Sequence, residues 1–273
     1  MKKTKMALVY DFDHTLSPKD MQEFSFFRDI GIKEPAIFWN EVKKISTENK
    51  MDPIITYMYL MLKKAKVLNR QDLIDSGKNI ALFDGVETWF ERINEYALTK
   101  NIEIEHYIIS SGLTEMILGT KIQKHFKNIY ACNFLYDDNN KAVWPARVVN
   151  YTTKTQYLFR INKGILDECN DIDLNKSTPD TDKYIPYDRM IYLGDGFTDV
   201  PCMKVVSQFG GNTIAVYENE KQKHMLAIPL FDDKRATFIA SANYCENSEI
   251  DIIVKEVINK IAVTVKLENL KSL

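Results

Sequence analysis

The chain has 273 residues, 45% of them hydrophobic, and a formal net charge of −2 from 36 basic and 38 acidic residues. That is enough for one large α/β domain, or a core domain with a smaller companion, with apolar material to fill a core. The near balance of charge excludes a general affinity for nucleic acid or membrane, so a charged ligand has to be held by a local site.

The N-terminus, "MKKTKMALVYDFD", begins like a signal peptide, but Asp11 and Asp13 stop the apolar run after a few residues. A cytoplasmic protein is expected. No stretch reaches transmembrane length without charge, and no internal repeat is found. The four cysteines, Cys132, Cys169, Cys202 and Cys245, are scattered without zinc-ligand spacing and read as reduced thiols.

Residues 6 to 10, "MALVY", form a short continuous apolar run, which suits a strand buried on both faces of a parallel sheet. From about 18 to 83 the period is helical. Met21, Phe24, Phe27 and Ile30 predict one helix, Phe38, Val42 and Ile45 a second, and Ile54, Ile55, Met58, Tyr59 and Leu62 a third. "NRQDLIDSGKNIALF" gives a fourth, with Asn69 as N-cap. A crossover between parallel strands needs only one helix, so four make an inserted helical subdomain.

Val86, Trp89, Phe90, Ile93 and Ala97 then lead as a helix into the strand "IEHYIIS", ending at Ser110. "IYACNFLY" and "AVWPARVVNY" flank the turn-rich "DDNN" as a hairpin. Tyr157, Leu158, Ile161 and Ile165 mark a helix beginning beside Lys154. Residues 170–188 are polar with two prolines and read as a surface loop. The strands "MIYLGDG" and "NTIAVY" follow, and "EIDIIVKEVINKIAV" closes the chain as a helix. The alternation predicts an open, mostly parallel α/β sheet.

In such a sheet, ligands bind beyond the carboxyl ends of the strands. Asp11 and Asp13 lie at one such end, and positions two apart along a strand share a face, so both carboxylates are expected in one pocket. Two anions that close need positive compensation. Mg²⁺ suits the need, because it takes one or two carboxylates along with water and phosphate oxygens. "IYLGDGFTDVPCM" repeats the pattern, with Asp195 and Asp199 around Gly194 and Gly196 and Asp199 near the next helix.

"DFDHTL", "IISSG", a lysine before the third strand and "GDGFTD", in that order, resemble the four motifs of the haloacid dehalogenase superfamily of phosphohydrolases. The helical insertion, and "ALFDGVETWFERI" followed by "YIISSGL", resemble its phosphoserine phosphatase-like branch. The resemblance implies a three-layer Rossmann-like core, residues 1–17 and 84–273, with an all-helical cap over 18–83. It also implies a Mg²⁺-dependent phosphatase acting on a small-molecule phosphomonoester through an aspartyl-phosphate intermediate. Asp11 would be the nucleophile and Asp13 the general acid and base. Metal ligands would be Asp11, the carbonyl of Asp13, and Asp195, with Asp199 acting directly or through water. Ser110 would hold a phosphoryl oxygen, helped by amides around Ser111 and Gly112.

For the motif lysine the sequence offers Lys154 and Lys163, and the helix-start position favours Lys154. His14 stands where many members carry a small residue, most often glycine. Phosphoserine-specific members usually show Ser-Gly-Gly, whereas this chain has Ser110, Ser111, Gly112, which argues against phosphoserine. The alternatives are a phosphotransferase of the same fold and a non-catalytic phosphate-ligand binding protein. Neither nucleic acid nor membrane is an expected partner.

Overall fold

The computed structural model describes residues 3–271. Seven strands, β1 (Thr4–Tyr10), β2 (Ile102–Leu113), β3 (Phe126–Tyr136), β4 (Ala142–Arg147), β5 (Met190–Gly194), β6 (Asn212–Tyr217) and β7 (Phe238–Ser241), form one sheet in the order β4-β3-β2-β1-β5-β6-β7. All neighbours pair in parallel except β3 and β4, the expected hairpin. β1 is central, and its residues Met6 to Tyr10 are fully buried, which explains the unbroken apolar run. Chain order reverses across β1, with β2 on one side and β5 on the other. Their carboxyl ends therefore flank a crevice at this switch point.

Helices cover both faces, giving the expected α/β, Rossmann-like architecture. The helices Val86–Thr99 and Glu249–Lys271 pack together on one side, and Lys154–Lys163 and Val200–Gln208 on the other. The first of these buries Val86, Trp89, Phe90, Ile93 and Ala97, the stripe seen in the sequence.

Between β1 and β2 the chain is helical, as expected, but not as four regular helices. Pro35–Asn49, Pro53–Lys64 and Arg70–Gly77 are helices, with Asn69 in the N-cap position though its side chain makes no capping bond. The helix expected over Met21 to Ile30 is instead a 3-10 turn, Met21–Glu23, and a single-turn helix, Phe26–Asp29. The apolar spacing is kept, but the backbone is pulled aside by Met21, whose N–H donates to Asp13 Oδ1 at 2.9 Å.

β2 also runs past Ser110 to Leu113, with its pairing to β3 interrupted between those two residues. The loop over 170–188 carries a helical turn, Asp171–Asn175, capped by the side chain of Asn170. β7 and the short helix Ile228–Asp232 were not expected. Among the described residues, no helix is long and apolar enough to cross a membrane.

A polar chain lies within this core. Trp89 Nε1 donates to Tyr10 Oη at 2.9 Å, Tyr10 Oη lies 3.1 Å from His106 Nδ1, and His106 Nε2 lies 2.9 Å from Asn94 Oδ1. A neutral imidazole with its hydrogen on Nε2 satisfies every link. Burial, with a smaller contribution from His125, pushes the His106 pKa down from 6.5 to about 3. Below pH 6.5 the unfolded chain therefore binds a proton that the folded chain refuses, and stability falls as the pH drops toward 3. At pH 5 the loss is about 2 kcal/mol. Thermal unfolding at pH 7.5 and pH 5.0 should show a smaller acid-induced drop in Tm for His106→Gln than for the wild type. Equal drops would show that His106 does not set the acid sensitivity.

Candidate active site

Asp11 is the first residue past β1. Its N–H donates to the carbonyl of Leu193 in β5 at 2.9 Å, extending the sheet by one bond and fixing the side chain at the switch point. Asp11 Oδ1 accepts from the N–H of Phe12 at 2.7 Å, and Oδ2 accepts from Lys154 Nζ at 2.7 Å. The same Nζ donates to Asp199 Oδ1 at 2.7 Å. Lys154 is completely buried. It stands at the first position of the helix Lys154–Lys163, as the sequence suggested. Lys163 Nζ, by contrast, donates to the carbonyls of Leu174 and Lys176.

Asp195 and Asp199 follow β5. Asp199 Oδ1 also accepts from Tyr192 Oη at 2.7 Å, and Asp199 Oδ2 from the N–H of Gly196 at 3.3 Å. This approach requires glycine at 194, where a Cβ would lie 2.4 Å from Asp199 Cγ. Tyr192 is the partner that sequence reading missed. It reads as an ordinary apolar strand residue, and only its place two before the strand end hints that its hydroxyl serves the site.

Asp11, Asp195 and Asp199 each offer an oxygen within 4.8 Å of the others. Burial, followed by the neighbouring carboxylates, raises Asp195 to about 8. Burial likewise raises Asp11 to about 6, against the pull of Lys154. Burial opposes the charge on Lys154 too, but Asp11 and Asp199 outweigh it and hold its pKa above the usual lysine value. One ammonium thus leaves the carboxylate group short of positive charge. An all-oxygen donor set with that deficit fits a hard divalent cation.

The side chain of Asp13 is not part of this group. β1 has ended at Tyr10, and Asp13 Oδ1 accepts from the Met21 N–H while its Oδ2 lies close to Gly112 at the end of β2. The N–H groups of Thr15, Leu16 and Ser17 all point to the carbonyl of Phe12 in a tight turn. Burial raises the Asp13 pKa well above its ordinary value, with Asp20 and then Asp11 adding to the effect. His14 adopts the left-handed conformation at φ 56°, which costs a side-chain-bearing residue about 1–2 kcal/mol. Its Nε2 faces Asp20 Oδ1 at 3.7 Å. Asp20 raises the ring to about 9, against burial.

On the other wall, Ser110 is buried in β2. Its Oγ accepts from the N–H of Gly112 at 3.1 Å, which leaves its own hydrogen free to donate. This bond accompanies the break in β2 pairing. A Cβ at Gly112 would lie 2.0 Å from Met21 Cε and 3.1 Å from Asp13 Oδ2. Met21 Sδ accepts from the N–H of Leu113 at 3.0 Å. The helical segment also reaches the site from two further points. Tyr57 Oη donates to the carbonyl of Ser111 at 2.7 Å, and Asp52 Oδ2 accepts from Asn150 Nδ2 at 2.8 Å, four residues before Lys154.

No family model matches the chain. A curated protein of Borreliella burgdorferi, described as uncharacterized, is 29% identical over 278 residues, covering 90% of this chain and 93% of that one. Three solved structures are similar in fold. A haloacid dehalogenase family hydrolase of Salmonella enterica serovar Typhi has a TM-score of 0.56 at 17% identity over 81% of this chain. The match spans 65% of that hydrolase, less than two thirds of its length. A phosphoserine phosphatase solved as a phospho-aspartyl intermediate analogue has a TM-score of 0.55 at 17% identity, over 93% of this chain and 99% of that one. A probable phosphoserine phosphatase of Vibrio cholerae has a TM-score of 0.60 at 12% identity, over 96% of this chain and 67% of that one. At these identities the likeness bears on architecture: the chain has the fold of the haloacid dehalogenase superfamily in its phosphoserine phosphatase-like form.

Proposed function

We propose that the protein is a Mg²⁺-dependent phosphatase that hydrolyses a small-molecule phosphomonoester through an aspartyl-phosphate intermediate. The observation that carries the reading is the buried Lys154 ammonium, held 2.7 Å from both Asp11 and Asp199 beside Asp195 at the switch point of the sheet. A nucleophilic carboxylate, a fixed cation and an acidic cation-binding group at one strand edge are the parts that phosphoryl transfer requires.

Asp11 is the nucleophile in this reading. Its bonds to the Phe12 N–H and the Lys154 ammonium leave the carboxylate oriented at the mouth of the crevice. Asp13 is the general acid and then the base. Burial favours the protonated carboxyl, the form needed to give a proton to the leaving oxygen. Ser110, its Oγ oriented by the Gly112 N–H, donates to a phosphoryl oxygen, with the amide at Ser111 beside it.

Asp11, the carbonyl of Asp13, Asp195 and, directly or through water, Asp199 would hold Mg²⁺. The ion would supply the charge that lets an anionic nucleophile meet an anionic phosphate. Residues 18–83 act as the cap that excludes bulk water, and 1–17 with 84–273 form the core. The four cysteines are unpaired, which supports the cytoplasmic assignment.

Two measurements test this reading. Saturating Mg²⁺ should raise the Tm of the wild type by about 5–10 °C, the shift expected when ligand is near a hundred times Kd in a chain of this size. Asp195→Asn should abolish most of that shift, and a Tm insensitive to Mg²⁺ would remove the metal from the proposal. Phosphate release from an aryl phosphate should require Mg²⁺ and vanish in Asp11→Asn, while Asp13→Asn should lower kcat by about 10²–10⁴-fold. Full activity in Asp11→Asn would exclude the aspartyl-phosphate route.

A further inference from the structure

Nine buried side-chain polar atoms among the described residues have no hydrogen-bond partner. Four of them, His14 Nδ1, Thr15 Oγ1, Gln22 Oε1 and Ser111 Oγ, lie on three stretches around Asp13: the turn that follows it, the turn Met21–Glu23 whose first N–H it accepts, and the end of β2. Unpaired buried polar atoms are uncommon in folded proteins, and a group of them beside a reactive carboxyl points to a ligand that pairs with them. His14 stands out among the four. The turn after Asp13 holds it in a left-handed backbone that glycine would adopt without strain, so the imidazole is kept at a conformational cost.

The direction of the ring narrows its role. Nε2 is turned to Asp20, on the side of the helical segment, and the next charges are Asp195 and Asp13. Lys154 and Ser110 serve the phosphoryl group from the core side, whereas His14 adjoins the residue that protonates the leaving oxygen. We propose that His14 is a specificity-determining residue whose Nδ1 pairs with a hydroxyl carried by the leaving alcohol next to the ester oxygen. The substrate is then the phosphomonoester of a polyol.

A hydroxyl is chosen because it both donates and accepts, and so pairs with Nδ1 in either state of the ring. An anionic substituent would meet Asp20 and Glu23, whose carboxyl is raised by burial and then by Asp20. An ammonium would have to displace the ring from Asp20. The inference deepens the phosphatase reading and rests on it.

The test uses the full chain with Mg²⁺ and two esters of similar size, glycerol 3-phosphate and n-propyl phosphate, with an aryl phosphate as control. The readout is the ratio of kcat/KM for the glycerol ester to that for the propyl ester. A site built around a substrate hydroxyl rejects the analogue that lacks it. The wild-type ratio should exceed about ten, His14→Gly should lower it about tenfold, and His14→Asn, which tolerates the left-handed backbone and keeps a polar atom, should retain part of it. A ratio near one in the wild type, or one unchanged in His14→Gly however far both rates fall, would show that the ring only shapes the loop and would overturn the proposal. If the wild type hydrolyses none of the three esters, the phosphatase reading fails and this inference fails with it. Hydrolysis of the aryl phosphate separates the two failures.

Discussion

A single buried ammonium, Lys154 Nζ, holds the two acidic strand ends together. Two carboxylates withdrawn from water at a sheet edge repel each other, and each loses hydration worth several kcal/mol. Nζ offsets both losses at once, at 2.7 Å from Asp11 and from Asp199. Its placement draws on distant parts of the chain: the end of β1, the turn after β5 and the start of the helix Lys154–Lys163. Removing it would leave two unpaired charges in a dry place, at a cost of about 3–5 kcal/mol. The compensation is also incomplete, because Asp195 remains beside the pair. The fold thus builds a site that stays short of positive charge, and this deficit gives it an appetite for cations.

Strand order converts that local electrostatics into a reactive geometry. Because β1 lies between β2 and β5, the groups at their ends converge from separate segments of sequence. Asp11, Ser110 and Asp195 each sit on or just past a strand, where backbone bonding limits their freedom. Tyr192 from within β5 and the glycine at 194 then fix Asp199 from behind. Rigid strands thereby carry the groups that must be placed accurately. In the phosphatase reading, the helical segment between β1 and β2 would carry the groups that meet the rest of the ligand.

Much of this was legible in the sequence because the physics behind it is local. Buried parallel strands are continuous apolar runs, so β1, β5 and β6 could be read directly, and acids placed at such ends announced the crevice. Lys154 could be preferred over Lys163 from its helix-start position alone. What failed to show depends on contacts distant in sequence. The helix expected from Met21 onward is broken because Met21 is engaged by Asp13 and Leu113. β2 continues beyond Ser110 because Leu113 finds Cys132 across the break. β7 is four residues long, too short for periodicity to reveal.

Two of the bonds between the helical segment and the core, Tyr57 to the Ser111 carbonyl and Asn150 to Asp52, bear on timing as well as shape. Each lands beside a residue of the site, one next to Ser110 within β2 and the other on the loop just before Lys154. They act together with the bonds of Met21 to Asp13 and Leu113 and of Ala142 to Leu68, so the segment parts from the core only when all of them give way. In the phosphatase reading, the rate at which these contacts release would set a ceiling on turnover, independent of how fast the carboxylates react.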